Sequence, residues 1–298
     1  MDGRAVAPAA GTVLNALATG VGSAFAIDLE TTATVELIDD GDIVGEIDGR
    51  PEADATLIER CVALTVDEFG TQAGLSDADV GARVRTESEV PMASGLKSSS
   101  AAANATVLAT LDALGVADSV ERIDACRLGV RAARDAGVTV TGAFDDASAS
   151  MLGGVTVTDN ATDELLARDE LDPDWDALVY TPPEQSFSAD ADTDACERIA
   201  PMAELVAELA LEGRYGEAMT ANGFAFCGAL EFPTGPLVDA LPDVAGVSLS
   251  GTGPSYVALG ERPTLEAVRD RWNERDGTTR LLATRTDGTR TRPTNDHP

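Results

Sequence analysis

Apolar residues recur along the chain at two spacings, and each spacing predicts a type of secondary structure. Leu57, Cys61 and Leu64 stand three or four positions apart within residues 53–69, which is typical of an amphipathic helix with one buried face. Residues 80–90 alternate between apolar and polar side chains, as a strand with one buried face does. The pattern therefore predicts that helices and strands are mixed along one chain.

The same patterns predict helices over residues 53–69, 98–114, 120–136, 193–211, 215–230 and 263–273, and strands over residues 4–7, 23–38, 80–90, 138–141, 155–158, 177–181, 244–249, 256–259 and 280–283. Because no regular strand–helix alternation is sustained, we expect the α+β class arranged in two lobes. The acidic connection at 160–174 is the expected boundary, giving domains over 1–160 and 161–298. Thr, Arg, Asp and Pro dominate residues 285–298, where we expect a mobile tail.

Composition narrows the classes of partner. Asp and Glu number 52 against 21 Lys and Arg, a net charge of −31, which disfavours binding to nucleic acid and to anionic membranes. With lysine almost absent, this balance predicts adaptation to a high-salt cytoplasm, where screening reduces self-repulsion. The four cysteines lie far apart without a C-x-x-C pair and the only histidine is His297, which argues against zinc sites and Cys/His nucleophiles. We expect core thiols in a soluble, cytoplasmic protein without a signal peptide or transmembrane segment.

The most informative stretch joins the strand at 80–90 to the helix that starts at residue 98. It runs through a turn of small residues into three consecutive hydroxyl side chains, Ser98, Ser99 and Ser100. Backbone N–H groups in the first turn of a helix lack an acceptor within the helix, and the helix dipole adds positive charge, so such a start can bind an anion. Lys97, the only lysine of the sequence, adds a full charge. A serine-rich helix start can also be an ordinary cap, and no G-x-x-x-x-G-K-[ST] pattern occurs. The lone lysine favours a loop that holds the phosphates of a nucleotide.

Three blocks, in this order, resemble motifs of the GHMP small-molecule kinases, which include galactokinase and the homoserine, mevalonate and phosphomevalonate kinases. They are residues 91–101, PMASGLKSSSA; residues 141–147, TGAFDDA; and residues 248–255, SLSGTGPS. The Lys97 form of the first block, with the second block, is similar to the archaeal type of shikimate kinase. The resemblance implies ATP-dependent phosphorylation of an alcohol. It also implies an N-terminal lobe like ribosomal protein S5 domain 2 and a ferredoxin-like C-terminal lobe.

The resemblance also implies roles for individual residues. The nucleotide is expected to contact the first block, formed by Pro91, Met92, Ala93, Ser94, Gly95, Leu96, Lys97, Ser98, Ser99, Ser100 and Ala101. Phosphoryl transfer needs positive charge at the phosphate oxygens and a group that takes the proton of the attacking hydroxyl. We expect Lys97 to supply the charge and Asp145 to act as the base. Mg²⁺ is expected beside the phosphates, with Ser99 as one ligand and Asp135 as a candidate second ligand.

The expected acceptor is shikimate, phosphorylated on its 3-hydroxyl. Candidate residues on the acceptor side are Asn15, Ser23, Gly251, Thr252 and Gly253. Because shikimate carries a carboxylate, an arginine should face it, and the sequence leaves Arg4, Arg83, Arg85 and others open.

One departure from the family concerns residues 7–14, which resemble an early family motif but lack the lysine that many members carry there. We expect Lys97 and Mg²⁺ to replace its charge. Two alternatives stay open: homoserine or mevalonate as the acceptor, or a non-catalytic small-molecule sensor on the same fold. Oligomeric state cannot be read from this sequence.

Overall fold

The computed structural model describes residues 1–39, 41–75, 80–90, 95–139, 141–184 and 191–293. Within these ranges the chain forms two sheets covered by helices. The first sheet contains β1 (Asp2–Leu14), β2 (Val21–Ile38), β3 (Ile43–Ile47), β4 (Gly81–Ser88), β5 (Val155–Asp159), β6 (Glu164–Asp169) and β11 (Arg290–Thr291), and the second contains β7 (Trp175–Thr181), β8 (Gly246–Leu249), β9 (Tyr256–Glu261) and β10 (Thr278–Ala283). The helices are α1 (Thr56–Phe69), α2 (Ser98–Ala113), α3 (Arg122–Asp135), α4 (Phe144–Leu152), α5 (Thr193–Arg198), α6 (Ala200–Leu211), α7 (Tyr215–Ala229), α8 (Gly235–Ala240) and α9 (Arg262–Trp272).

The first lobe is built on the long antiparallel pair β1–β2. The strand order is β11-β1-β2-β4-β3, and β5 also pairs with β2 and with β6. Helices α1 to α4 belong to this lobe, and α2 lies directly against β1 and β2. The alanines of α2 are mostly buried, which suits a helix enclosed by neighbours because a short side chain allows close approach. This packing fixes where the first turn of α2 points.

The second lobe is a four-stranded antiparallel sheet in the order β10-β7-β9-β8, within the described residues. Its core includes Trp272, Tyr256 and Phe226. The C-terminal half of β1 does not stay within the first lobe, because Val13 and Leu14 join an apolar cluster with residues of the second sheet and of α6 and α7. The two lobes therefore share a continuous buried contact, and the α+β, two-lobed arrangement expected from the sequence is confirmed.

The strand predicted over 138–141 is not present in its described residues, and residue 140 lies outside them. The Thr139 hydroxyl accepts a hydrogen bond from the Gly142 N–H at 3.1 Å, and the Thr141 hydroxyl accepts one from the Ala143 N–H at 3.2 Å. Threonine hydroxyls that bind the backbone two or three residues on produce turns. Local hydrogen bonding has thus overridden the strand preference of these β-branched residues.

Three other predicted segments differ from the structure. The helix predicted over 193–211 is divided at Ile199 into α5 and α6, where Pro201 lies in the first turn of α6. The acidic connection expected over 160–174 contains β6, so a boundary at residue 160 cuts the β5–β6 hairpin. The short strand predicted over 4–7 extends to Leu14, because the small residues that follow Ala7 are also buried.

Residues 285–293 of the C-terminal segment are structured and pack against the first lobe. Its strand β11 pairs antiparallel with β1. Arg285 is 12% exposed and forms ion pairs with Asp28, Glu30 and Asp287. The backbone N–H of Thr289 donates to the carbonyl of Met151 at 3.0 Å, and its hydroxyl donates to the carbonyl of Ser150 at 3.0 Å. The tail therefore holds the C-terminal end of α4, and the expected mobility does not fit residues 285–293.

The four cysteines are buried and free, as expected for core thiols. Burial raises the pKa of the Cys61 and Cys126 thiols above their ordinary range, which leaves them protonated and unreactive. None of the helices in the described ranges combines the length and the apolar composition that a bilayer span requires.

Candidate active site

A cavity of about 590 Å³ opens where the first turns of α2 and α4 meet the end of β1 and the loop between β8 and β9. The wall formed by residues 47–58 and 133–138 is largely apolar and includes Ile47, Leu57 and Val138. The opposite end contains Lys97, Asp145, Asp146, Asn15 and Gly251. The cavity therefore has an apolar end and a charged end, with the N-terminus of α2 between them.

The described part of the predicted phosphate loop begins at Gly95, and Pro91, Met92, Ala93 and Ser94 lie outside the described residues. Ser98, Ser99 and Ser100 form the first turn of α2 and line the cavity. No described side chain caps this helix, so its first N–H groups face the cavity without a side-chain acceptor. Leu96 and Ala101 are buried beneath the loop, where they anchor it. This is the arrangement expected of an anion site at a helix N-terminus.

Lys97 precedes the helix with a left-handed backbone, at a φ of 64°, a conformation that costs energy for a residue with a side chain. Its Nζ lies 2.8 Å from Oδ1 of Asp146, and the two side chains are only 9% and 11% exposed. Burial of the carboxyl group and the charge of the adjacent Asp145 raise the pKa of Asp146 to about 7, although Lys97 acts to lower it. The strained backbone of Lys97 thus directs its ammonium group to a buried carboxyl group rather than to solvent.

Asp145 also belongs to the first turn of α4, which follows Ala143 at a φ of 50°. Its side chain is 4% exposed and lines the cavity. The Asn160 side chain donates from Nδ2 to Oδ1 of Asp145 at 2.7 Å. On the other side, a Cβ added to Gly22 would lie 2.5 Å from Oδ2 of Asp145. The carboxylate is therefore held at Oδ1 by a hydrogen bond from Asn160, and Gly22 packs closely against Oδ2.

The loop between β8 and β9 closes the charged end of the cavity. The Ser250 hydroxyl donates to the carbonyl of Gly95 at 2.9 Å, and the Gly251 N–H donates to the hydroxyl of Thr12 at 2.8 Å. A Cβ on Gly95 would lie 2.3 Å from the Ser250 carbonyl oxygen, and one on Gly251 would lie 2.8 Å from Nζ of Lys97. Both glycines have positive φ, so close packing and backbone geometry each require glycine there. The three sequence blocks thus meet at one point.

Asp135 and Ser23 are predicted site residues that do not line the cavity. Nε and Nη2 of Arg60 lie 2.8 and 2.7 Å from Oδ2 of Asp135, and Asp135 is not among the cavity residues; this placement does not fit a metal ligand beside the phosphates. Ser23 is fully buried within β2, away from the cavity wall. Side chains alternate between the two faces of a strand, so the face that points Gly22 towards Asp145 points Ser23 away from it.

The remaining acceptor-side candidates differ in position, and Asn15, at the charged end, makes structural contacts. Asn15 donates from Nδ2 to the carbonyl of Gly251 at 2.8 Å and accepts from the Leu17 N–H at 2.9 Å. Its side chain therefore ties the end of β1 to the loop between β8 and β9. Gly251 and Thr252 line the cavity, whereas a Cβ on Gly253 would meet the ring of Phe232 at 2.6 Å.

The arginines named from the sequence do not line the cavity. Arg83 and Arg85 form ion pairs with acidic residues on the sheet surface. Arg50, which the sequence did not single out, lines the cavity at its apolar end. Little in the sequence singles out Arg50, because an exposed arginine in an acidic surface loop has no distinguishing neighbours along the chain.

The part of the chain that the structure describes offers no metal site made only of protein ligands. Among the described residues, no group of three or more His, Cys, Asp or Glu side chains is placed to bind one. Mg²⁺ commonly takes few protein ligands and completes its shell with phosphate oxygens and waters. The Ser99 hydroxyl, exposed at the cavity, fits that role.

Comparison with known proteins identifies the family. Residues 56–154 match the model of the GHMP kinases N-terminal domain. The chain is 64% identical over 292 residues to a shikimate kinase of Halobacterium salinarum, covering 98% of this chain and 100% of that one. It is 51% identical over 272 residues to a shikimate kinase of Methanococcoides burtonii, covering 91% of each.

Solved structures agree on the fold. A homoserine kinase from Cytophaga hutchinsonii superposes with a TM-score of 0.73 at 18% identity, covering 98% of this chain and 97% of the other. A mevalonate kinase gives a TM-score of 0.72 at 14% identity, covering 95% and 99%. At such identities the likeness concerns the fold alone, while the full-length similarity to the archaeal relatives is much closer. The chain therefore belongs to the GHMP kinases, in the family of archaeal shikimate kinases.

Proposed function

We propose that the protein transfers the terminal phosphoryl group of ATP to the 3-hydroxyl of shikimate, giving shikimate 3-phosphate and ADP. The observation that carries this proposal is the meeting of Lys97, Asp145 and the uncapped start of α2 in one cavity. The choice of shikimate is supported by the 64% identity, over nearly the whole chain, to a relative named shikimate kinase.

The two ends of the cavity suggest the direction in which ATP lies. We place the adenine against the apolar wall that includes Ile47, Leu57 and Val138, since burial of an aromatic base there removes apolar surface from water. The phosphates then lie at the first turn of α2, where the N–H groups, the helix dipole and Lys97 stabilise negative charge. Mg²⁺ beside Ser99 would add Lewis-acid neutralisation of the phosphate oxygens. The charged end of the cavity then remains for the acceptor.

Asp145 is the proposed catalytic base. Its carboxylate lines the charged end and retains Oδ2, the oxygen that Asn160 does not bind. An acceptor hydroxyl between Oδ2 and the terminal phosphate would pass its proton to the carboxylate as the oxygen attacks phosphorus. Lys97 exchanges its interaction with Asp146 for one with the phosphate charge. The buried ion pair thus supplies a cation that is already oriented when ATP arrives.

An acceptor panel tests the proposal. The protein is incubated in molar KCl with ATP, Mg²⁺ and either shikimate, homoserine or mevalonate, and ADP release is followed. Turnover is expected with shikimate and its product should be shikimate 3-phosphate. The Asp145→Asn variant should lose several orders of magnitude in kcat and retain its affinity for ATP. Turnover with homoserine or mevalonate alone would reassign the acceptor, and ATP binding without turnover on any of the three would favour a sensor.

A further inference from the structure

The turn that follows β5 lies against the side chain of Asp145. Asn160 begins this turn, is 2% exposed, and is linked to the first lobe by the hydrogen bond from its N–H to the carbonyl of Gly20 at 2.9 Å. The three blocks that revealed the family do not include this residue. Its position therefore raises the question of what a fully buried amide does beside the proposed base.

The amide of Asn160 has its donors and acceptor assigned by its neighbours. Its Oδ1 accepts from the backbone N–H of Asp145 at 3.1 Å and from the Thr158 hydroxyl at 2.8 Å. Its Nδ2 donates to Oδ1 of Asp145 at 2.7 Å and to the Thr141 hydroxyl at 3.3 Å. A flipped amide would place its NH₂ group against an N–H donor, so only one orientation satisfies all four contacts.

The turn itself is fixed by a second set of contacts. Arg134, on α3, donates to the carbonyl of Asn160 at 2.9 Å and binds both carboxylate oxygens of Asp163, at 2.6 and 2.7 Å. A guanidinium group that binds a carboxylate through two nitrogens restricts both distance and angle. Asn160 is therefore held at its backbone by α3 and at its side chain by α4.

We infer that Asn160 is a positioning residue for phosphoryl transfer, which holds the Asp145 carboxylate by Oδ1 and leaves Oδ2 as the oxygen that meets the acceptor. The inference rests on the proposed role of Asp145 and goes beyond it by assigning each carboxylate oxygen a separate task. A base that is free to rotate would spend much of its time out of line with the acceptor hydroxyl. Because misplacement of a reacting group by about 1 Å can cost about 10²-fold in rate, the orientation is functionally significant.

The test compares Asn160→Ala with Thr158→Val as a matched control from the same buried hairpin. Thr158→Val removes a hydrogen bond to Asn160 and leaves the contact between Asn160 and Asp145 intact. We expect Asn160→Ala to lower kcat by about 10²-fold with little change in KM for ATP or acceptor, and Thr158→Val to keep its kcat even where its melting temperature falls. Wild-type kcat in Asn160→Ala, or an equal loss in both variants, would overturn the inference.

A double-mutant cycle separates positioning from general support of the fold. If Asn160 acts through Asp145, adding Asn160→Ala to Asp145→Asn should cost no further activity, whereas a purely structural role predicts additive losses and weaker ATP binding. Should Asn160→Ala fail to fold, Asn160→Asp keeps the volume but lacks the donor, and the same loss of kcat is expected; unchanged kcat there would also refute the inference.

A crystal structure of the Asn160 variant provides a readout that needs no turnover. The Asp145 carboxylate is expected to rotate from its wild-type position, and an unchanged carboxylate would contradict positioning by Asn160. The wild-type acceptor panel distinguishes failure of the proposed function from failure of this inference. If the panel shows turnover with another acceptor, the kinetic comparison of the Asn160 and Thr158 variants is made with that acceptor. If no acceptor is phosphorylated, the crystal structure of the Asn160 variant decides whether Asn160 positions Asp145.

Discussion

Gly22 offers a direct test of how closely the position of Asp145 is controlled. A Cβ added at residue 22 would lie 2.5 Å from Oδ2, 2.6 Å from Cγ and 2.8 Å from Cβ of Asp145. An ordinary van der Waals contact begins near 3.4 Å, so Gly22→Ala requires the carboxylate or its helix to withdraw by about 1 Å. Because Cγ and Cβ are crowded as well as Oδ2, the displacement moves the whole carboxylate, including the oxygen proposed to meet the acceptor. We expect kcat to fall by about 10²-fold.

The assay measures kcat and KM by ADP release, with ATP affinity measured separately. Gly228→Ala serves as the control, because residue 228 lies on an exposed position of α7 and an added Cβ there meets no heavy atom within 4 Å. That variant should keep wild-type kcat and gain up to about 1 kcal/mol of stability from the better helix propensity of alanine. Wild-type kcat in Gly22→Ala would refute the reasoning, since it would show that the carboxylate tolerates the displacement.

Three further predictions concern charged residues. Lys97→Met removes the buried cation at similar length, and kcat/KM from the ADP-release assay should fall by about 10²- to 10³-fold; a loss below threefold would contradict its role. Asp146 has a pKa of about 7 in the folded protein against an ordinary 3.8. From about pH 4 to pH 7 the unfolded chain releases this proton while the folded protein keeps it, so the free energy of unfolding of the wild type falls as pH rises. At about 1.36 kcal/mol for each pH unit, urea unfolding should show Asp146→Asn gaining on wild type across that window by up to about 4 kcal/mol, then levelling; a pH-independent difference would contradict this. Asp135→Asn should leave kcat and its Mg²⁺ dependence unchanged and cost less than about 1 kcal/mol, because its partner Arg60 is a surface residue; a raised Mg²⁺ requirement would restore Asp135 as a ligand.

Much of the fold could be predicted because its signals are local. The alanine-rich run of α2 and the glycines that follow α2 and α3 set helix limits close to the observed ones. The division at Ile199 and the turn formed around Thr139 and Thr141 could not be predicted from periodicity. The division depends on local backbone hydrogen bonds and the turn on hydrogen bonds accepted by threonine hydroxyls, and both compete with propensities of only a few tenths of a kcal/mol per residue.

The loops that line the cavity could be singled out from the sequence, whereas the contacts of individual side chains could not. Lys97 and Asp145 stood out because one is a unique residue and the other lies in a recognisable block. The partner of Lys97 could not be chosen between adjacent aspartates, since a one-residue step on a helix turns the side chain by about 100°. The position of Asp135 outside the cavity lining could not be predicted for the same reason, because spacing along α3 does not tell which face reaches the cavity. The contact between Asn160 and Asp145 depends on how a hairpin packs against a helix, which local sequence does not encode.

The return of residues 289–292 to the first lobe has a consequence for how this protein is made. The N-terminal sheet and the helix carrying Asp145 receive backbone partners from Thr289 and Arg292, which are synthesised after the residues of both lobes that precede them in the chain. A nascent chain that ends before residue 289 lacks these partners, so the N-terminal unit cannot complete its backbone hydrogen bonding before the C-terminal residues are made. The hydrogen bonding that surrounds the helix carrying Asp145 is therefore complete only after residues 289–292 have been synthesised.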